Sequence, residues 1–192
     1  MLVDSSLGIS REEYLRLERQ ANYKSEYHKG QILAMAGASR NHNRIVTNVS
    51  TSLNLQLNSR NCNNYSNDMR VSIQNGERYL YPDIVVTCGE EKFEDNNKDI
   101  LLHPIIIIEI LSPSTEAYDR GAKFLYYQTI GSLQEYALIS QYPRRLEIYC
   151  KQMDGAWLYR SLNEMPATLE LKSIDCRLDS EDIYSKVDME ST

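Results

Sequence analysis

The sequence predicts one α/β (α+β) domain: a mixed or mostly antiparallel β-sheet with helices packed on it. Three observations carry this prediction. Apolar residues recur at helical spacing in several segments, and short runs rich in Val, Ile, Tyr and Leu fill much of the remainder. The order helix, hairpin, helix, strands, helix, strands then suits helices laid on a sheet. Third, no internal repeat, low-complexity block or break in composition divides the chain. At 192 residues it is long enough for a sizeable core and within the usual size of one domain. A single domain over residues 1–192 is expected, with its core at about 10–184.

Each element has a local reason. Ser10 opens SREEYLRLE with Glu13 three residues on, a capping-box pattern, and Tyr14, Leu15 and Leu17 give a partial apolar face. SEYHKGQILAMAG reads as two short strands around the turn residues Lys29 and Gly30. From Asn41 to Leu57, Ile45, Val46, Val49, Leu53 and Leu57 follow helical spacing. Strand-like pieces follow: CNNYS, MRVSIQ, YLYPDIVVTC and the isoleucine run IIIIEIL, then LQEYALIS, RRLEIYCK and AWLYRS. GEEKFEDNNKD, residues 89–99, is polar and acidic and reads as a surface loop. A helix carrying Lys123 lies between Ser112 and Gly131, DSEDIYSK makes a last turn, and the tail VDMEST is expected to fray.

Composition excludes several classes. The longest apolar run is far short of the roughly 20 residues of a membrane span. MLVDSSLGISREEY has neither a basic n-region nor a long apolar stretch, so no secretory signal is read and a cytoplasmic chain is expected. Cys62, Cys88, Cys150 and Cys176 are scattered without a CxxC pair, which favours free thiols over bridges or structural zinc. The net charge of −6 argues against a bulk electrostatic grip on nucleic acid, though not against a local basic groove. Tyr outnumbers Phe 14 to 2, a bias that suits strands and surfaces with one wet side.

The chemistry gathers around an oddity: Glu109 stands inside the most apolar strand of the chain. A lone buried carboxylate is costly unless a cation or hydrogen-bond donors meet it. By strand parity Asp83 shares a face with Tyr79, Tyr81 and Val85, and Glu109 with Ile105 and Ile107. If the two strands are neighbours, both acids reach one cation. Mg²⁺ takes hard oxygen ligands, often one or two carboxylates with water and substrate phosphate. Asp119, Lys123 and Tyr127 recur at i, i+4 and i+8 and so stack along one helix face. A lysine brought to such a pair can orient an attacking water or stabilise charge on phosphorus. Two carboxylates, a divalent ion and a lysine together suit phosphodiester hydrolysis.

YPDIVV, PIIIIEILSPST and YDRGAKFLYY together resemble the PD-(D/E)xK nuclease superfamily, and more closely its branch of bacterial restriction-endonuclease-like proteins. EEYLRLE, KSEYHKGQILAMAGASRNHNRI, NDMRVSI, SLQEYALIS and LDSEDIY extend the resemblance over about residues 10–184. It implies a restriction-endonuclease-like mixed sheet flanked by helices, Mg²⁺ (or Mn²⁺), and metal roles for Asp83 and Glu109. The superfamily's lysine stands two residues after the second acid, where this chain has Leu111; the resemblance implies that Lys123 on the following helix replaces it. Glu26 matches an extra N-terminal acid, a further metal or water ligand. His42 and Asp68 lie in resembling segments without a defined role, and Asp119 and Tyr127 are accessory candidates. DNA is the implied partner, and a homodimer is expected by analogy, since two sites suit the two strands of a duplex.

Bland readings stand beside these. Pro-Asp often makes a turn; Glu109 could be a structural partner of Lys123 or Arg120; Glu26 could pair at the surface with Lys24 or Lys29. Asp119, Arg120 and Lys123 could form a solvated helix face, and His42 could cap its helix or bind an anion at the amides. His28 and His103 read as structural, and Tyr127 as core. A binding module with little hydrolysis, and a hydrolase of a small phosphodiester, are the competing functions. A stripe of Arg40, Arg44, Arg70 and Arg120 leading to the site would favour a polymer substrate.

Overall fold

Ser10 caps the first helix as its position implies: its Oγ accepts the Glu13 amide at 3.2 Å, and α1 runs over Arg11–Glu18. The computed structural model describes residues 8–188. Residues 1–7, read above for a signal, and 189–192 of the expected frayed tail lie outside the described residues. Strands β1 (Ser25–His28) and β2 (Gln31–Ala34) form the expected hairpin. Its turn places Lys29 at φ +46° and Gly30 at φ +94°, the left-handed pair that matches the twist of two-residue hairpins. Helix α2 follows over Arg40–Leu57, capped by Ser39, one residue longer at its start than the apolar spacing suggests.

Six strands come next in pairs and crossings: β3 (Cys62–Ser66), β4 (Arg70–Ile73), β5 (Arg78–Leu80), β6 (Ile84–Cys88), β7 (Ile100–Leu101) and β8 (Ile106–Leu111). The helical segment after β8 is α3 (Glu116–Tyr118), a π-helical turn Asp119–Lys123, and α4 (Phe124–Tyr127). Then come β9 (Glu135–Ser140), β10 (Arg145–Lys151), β11 (Trp157–Leu162), β12 (Thr168–Leu171), β13 (Cys176–Asp179) and the short helix α5 (Ser180–Ile183). The hairpin β12–β13 and the short β7 are additions to the elements expected from sequence.

A six-stranded sheet, ordered β11-β10-β9-β8-β6-β3, forms the centre. All its pairs are antiparallel except β8–β9, so it is mixed, as expected. A five-stranded sheet, β2-β1-β5-β4-β7, stands beside it. YLYPDIVVTC is therefore two strands. Tyr81-Pro82-Asp83 carries the chain from β5 in one sheet to β6 in the other, because proline has no N–H for a ladder.

Alternation decides what covers each face of the central sheet. Ile84, Val86, Ile106, Ile108 and Ile110 pack against Ile45, Val49 and Leu53 of α2. Val85, Ile107, Leu111 and Leu138 pack on the other side against Phe124 and Tyr127. Each such fully buried aliphatic chain contributes about 1.5–3 kcal/mol, which fixes the register and with it the side on which Glu109 emerges. One expectation is corrected: Cys62 and Cys88 are bonded as a disulfide, because the β3–β6 register sets them directly opposite with Cα atoms 4.0 Å apart. Cys150 and Cys176 are free thiols. Among the described residues no helix is long and apolar enough to cross a membrane.

Candidate active site

The two acids become neighbours through strand register. Ile84 pairs with Ile108 in the antiparallel β6–β8 ladder, so one step beyond it Asp83 lies opposite Glu109. There the side chains continue what the backbone ladder leaves off. The Asp83 amide donates to Glu109 Oε2 at 3.3 Å, and the Ile110 amide donates to Asp83 Oδ2 at 2.8 Å. Pro82 ends the strand and leaves the Asp83 side chain 20 % exposed, whereas Glu109 is 2 % exposed.

Lys123 arrives from the π-helical turn on the same side of the sheet. Its Nζ lies 2.9 Å from Glu109 Oε1, 3.5 Å from Asp119 Oδ1 and 3.7 Å from Glu26 Oε1. It also donates to the Tyr81 carbonyl at 3.3 Å. Asp119 and Lys123 meet as their spacing predicts, and the Tyr127 hydroxyl donates to Glu109 Oε1 at 3.2 Å. Glu26 sits across the ammonium, its Oε1 accepting the Tyr81 amide and its Oε2 the Tyr118 hydroxyl at 3.1 Å. His42, from the first turn of α2, puts Nε2 3.1 Å from Asp83 Oδ2. Asp68 is elsewhere in character: its side chain is 85 % exposed and pairs with Lys24. His28, read as structural, touches Glu26 Oε2 at 3.4 Å.

Three carboxylates thus surround one ammonium, with Asp83 beside Glu109 as a fourth acid. Burial pushes the Glu109 carboxyl well above its ordinary range; Lys123 opposes this, while Asp119 and Asp83 add to it. Asp119 is raised for the same reason, burial first, with Lys123 opposing. Burial pulls the Lys123 ammonium down, but Glu109, Glu26 and Asp119 outweigh it and hold its pKa well above the usual lysine value. Burial likewise raises Glu26, and there Lys123, His28, the Tyr81 amide and the Tyr118 hydroxyl prevail, leaving it below the usual range.

Does this donor set fit a divalent ion? Among the described residues no group of three His, Cys, Asp and Glu side chains could hold a metal. Asp83 and Glu109 offer two hard carboxylates, one of them open to solvent, and two suffice for Mg²⁺ when water and phosphate complete its shell. The surplus of negative charge over Lys123 is what a divalent ion relieves. The set fits.

Three of the four arginines of the suggested stripe are already paired with acids, and Arg44 makes no ion pair among the described residues. Arg70 is buried and ion-paired with Asp99, Arg120 grips Glu116 and Glu147, and Arg40 pairs with Asp188. Sequence reading missed Tyr118 and the Ile110 amide. Nothing in sequence marks an amide as a ligand, and Tyr118 meets Glu26 only once α3 packs beside β1.

Comparison with known proteins bears on the family and the fold. A family model described as "Uma2: Putative restriction endonuclease" matches residues 11–179. Two uncharacterized proteins of Synechocystis sp. (strain ATCC 27184 / PCC 6803 / Kazusa) are similar over nearly the whole chain. One is 41 % identical over 170 residues, 88 % of this chain and 96 % of its own. The other is 38 % identical over 176 residues, 92 % of this chain and 91 % of its own. The fold is shared with a crystal structure described as a putative nuclease belonging to DUF820 from Anabaena variabilis ATCC 29413. There the TM-score is 0.75 at 23 % identity, over 92 % of this chain and 98 % of that one.

Proposed function

Because the chain belongs to the Uma2 family, described as putative restriction endonucleases, we propose that it is a Mg²⁺- or Mn²⁺-dependent endonuclease hydrolysing phosphodiester bonds in DNA. The observation that carries this reading is the reciprocal clasp of Asp83 and Glu109 with the Lys123 ammonium 2.9 Å from Glu109. Asp83 and Glu109 would hold the ion, which supplies Lewis-acid stabilisation of negative charge on a phosphoryl oxygen.

The remaining groups act through charge and position. Lys123 has three acids within 4 Å and is a fixed ammonium, not a proton acceptor. In a water-poor site such a charge is weakly screened and stabilises the build-up of charge on phosphorus. Glu26 and Asp119 aim Lys123 from two sides, and Glu26 meets the centre through that ammonium. Tyr127 holds Oε1 of Glu109 so that Oε2 faces Asp83. A homodimer would present two such centres to the two strands of a duplex, and a cytoplasmic location goes with DNA as substrate.

Incubating plasmid DNA with the protein and Mg²⁺ or Mn²⁺ tests this. Cleavage is expected to need the metal, to stop with chelator, and to fall at least about 100-fold in Asp83→Asn. Undiminished cutting by that variant, or in excess chelator, would overturn the reading. The pairing of Arg40, Arg70 and Arg120 with acids favours one second reading, a small phosphodiester as substrate. Metal-dependent hydrolysis of bis(4-nitrophenyl) phosphate without DNA cleavage would mark it. Duplex binding with no hydrolysis of either substrate would mark a binding module instead.

A further inference from the structure

The imidazole of His42 is buried, yet one of its nitrogens has no partner. Nε2 lies 3.1 Å from Asp83 Oδ2, while Nδ1 is a buried atom without a hydrogen bond among the described residues. The contact is a hydrogen bond with Nε2 as donor, and a neutral ring that donates there has only a lone pair at Nδ1. The contact with Asp83 holds the ring. Its backbone is equally fixed: the His42 amide donates to Ser39 Oγ at 3.1 Å, and Ser39 caps the 18-residue helix α2.

Asp83 therefore receives two donors on a single oxygen, His42 Nε2 and the Ile110 amide, whereas Oδ1 receives none among the described residues. Two donors on Oδ2 fix the plane of the carboxylate and leave Oδ1 free on the solvent side. We propose that His42 is a positioning residue that turns Asp83 so that Oδ1 is presented to a divalent cation. This rests on the proposed metal role of Asp83. The helix cap alone does not explain the ring, because capping uses only the His42 amide and Ser39.

Calorimetric titration of Mn²⁺ and Mg²⁺ into the wild type, His42→Phe and His42→Gln tests it, with circular dichroism confirming the fold of each. Phe fills the space without a donor, and Gln restores an N–H near the place of Nε2. His42→Phe is expected to weaken Mn²⁺ binding about 10–100-fold, as loss of a group orienting a ligand does, with His42→Gln within about 3-fold of wild type. Wild-type affinity in His42→Phe, or equal losses in both variants, would overturn the proposal. If His42→Phe does not fold, His42→Ala takes its place under the same criteria. Absence of metal binding in the wild type would instead overturn the metal reading of Asp83, and this inference with it.

Discussion

Lys123 is the residue on which the charge balance turns. It is buried, and Glu109, Asp119 and Glu26 all lie within 4 Å of its ammonium. Removing one partner of a buried ion pair strands the others, which costs about 3–5 kcal/mol, far more than the pair is worth over an apolar replacement. Lys123→Met is therefore expected to lower the unfolding free energy by about that amount in metal-free buffer, measured by urea denaturation. An unchanged midpoint would mean that the acids are already neutral or hydrated. The sequence made both acids and this lysine legible, since a carboxylate in a run of isoleucines needs a reason to be there. It did not reveal which oxygen of Glu109 faces Asp83. That depends on the Tyr127 hydroxyl and the Asp83 amide, contacts that exist only once three elements have met.

The helical segment bearing Lys123 must be held at a fixed angle on the sheet, and Arg120 does this from its other side. Its guanidinium donates to both carboxylate oxygens of the buried Glu147 on β10, at 2.9 and 2.6 Å, and to Glu116. Arg145 and the Tyr159 hydroxyl also meet Glu147. Burial pushes the Glu147 carboxyl up, but Arg120, Tyr159 and Arg145 more than offset it, so its folded pKa is below the usual value. A depressed folded pKa adds stability above the unfolded pKa, which is lost as pH falls through the folded one. The stability difference between wild type and Glu147→Gln is thus expected to be full at pH 6–7. It should shrink as pH drops below about 4.5, followed by urea denaturation across that range. A difference independent of pH would contradict the charged pairing. Periodicity predicted this helix and the place of Lys123 on it. The π-helical turn at Asp119–Lys123 was not legible, because inserting one residue per turn leaves no mark on an apolar pattern this short.

At the scale of the molecule, parity arguments succeeded where two strands share a sheet and failed where the chain changes sheets. Asp83 and Glu109 were placed together because β6 and β8 are neighbours in the ladder, a pairing that alternation suggests and only the fold establishes. The break at Pro82 puts Asp83 at a junction between two sheets, and that junction exposes its carboxylate while Glu109 stays buried. Long-range pairings also explain the misread cysteines, since Cys62 and Cys88 are distant in sequence and opposite in register. Likewise three of the four arginines weighed as a stripe, Arg40, Arg70 and Arg120, meet acids distant in sequence. On the proposed reading, Glu109 is buried in order to meet a divalent ion beside Asp83. Calorimetric titration of Mn²⁺ into the wild type and Glu109→Gln at near-physiological salt tests this. Saturable binding in the wild type, lost in Glu109→Gln, is the predicted result; equal binding in both, or none in the wild type, would contradict it and leave the acids as structural partners of Lys123.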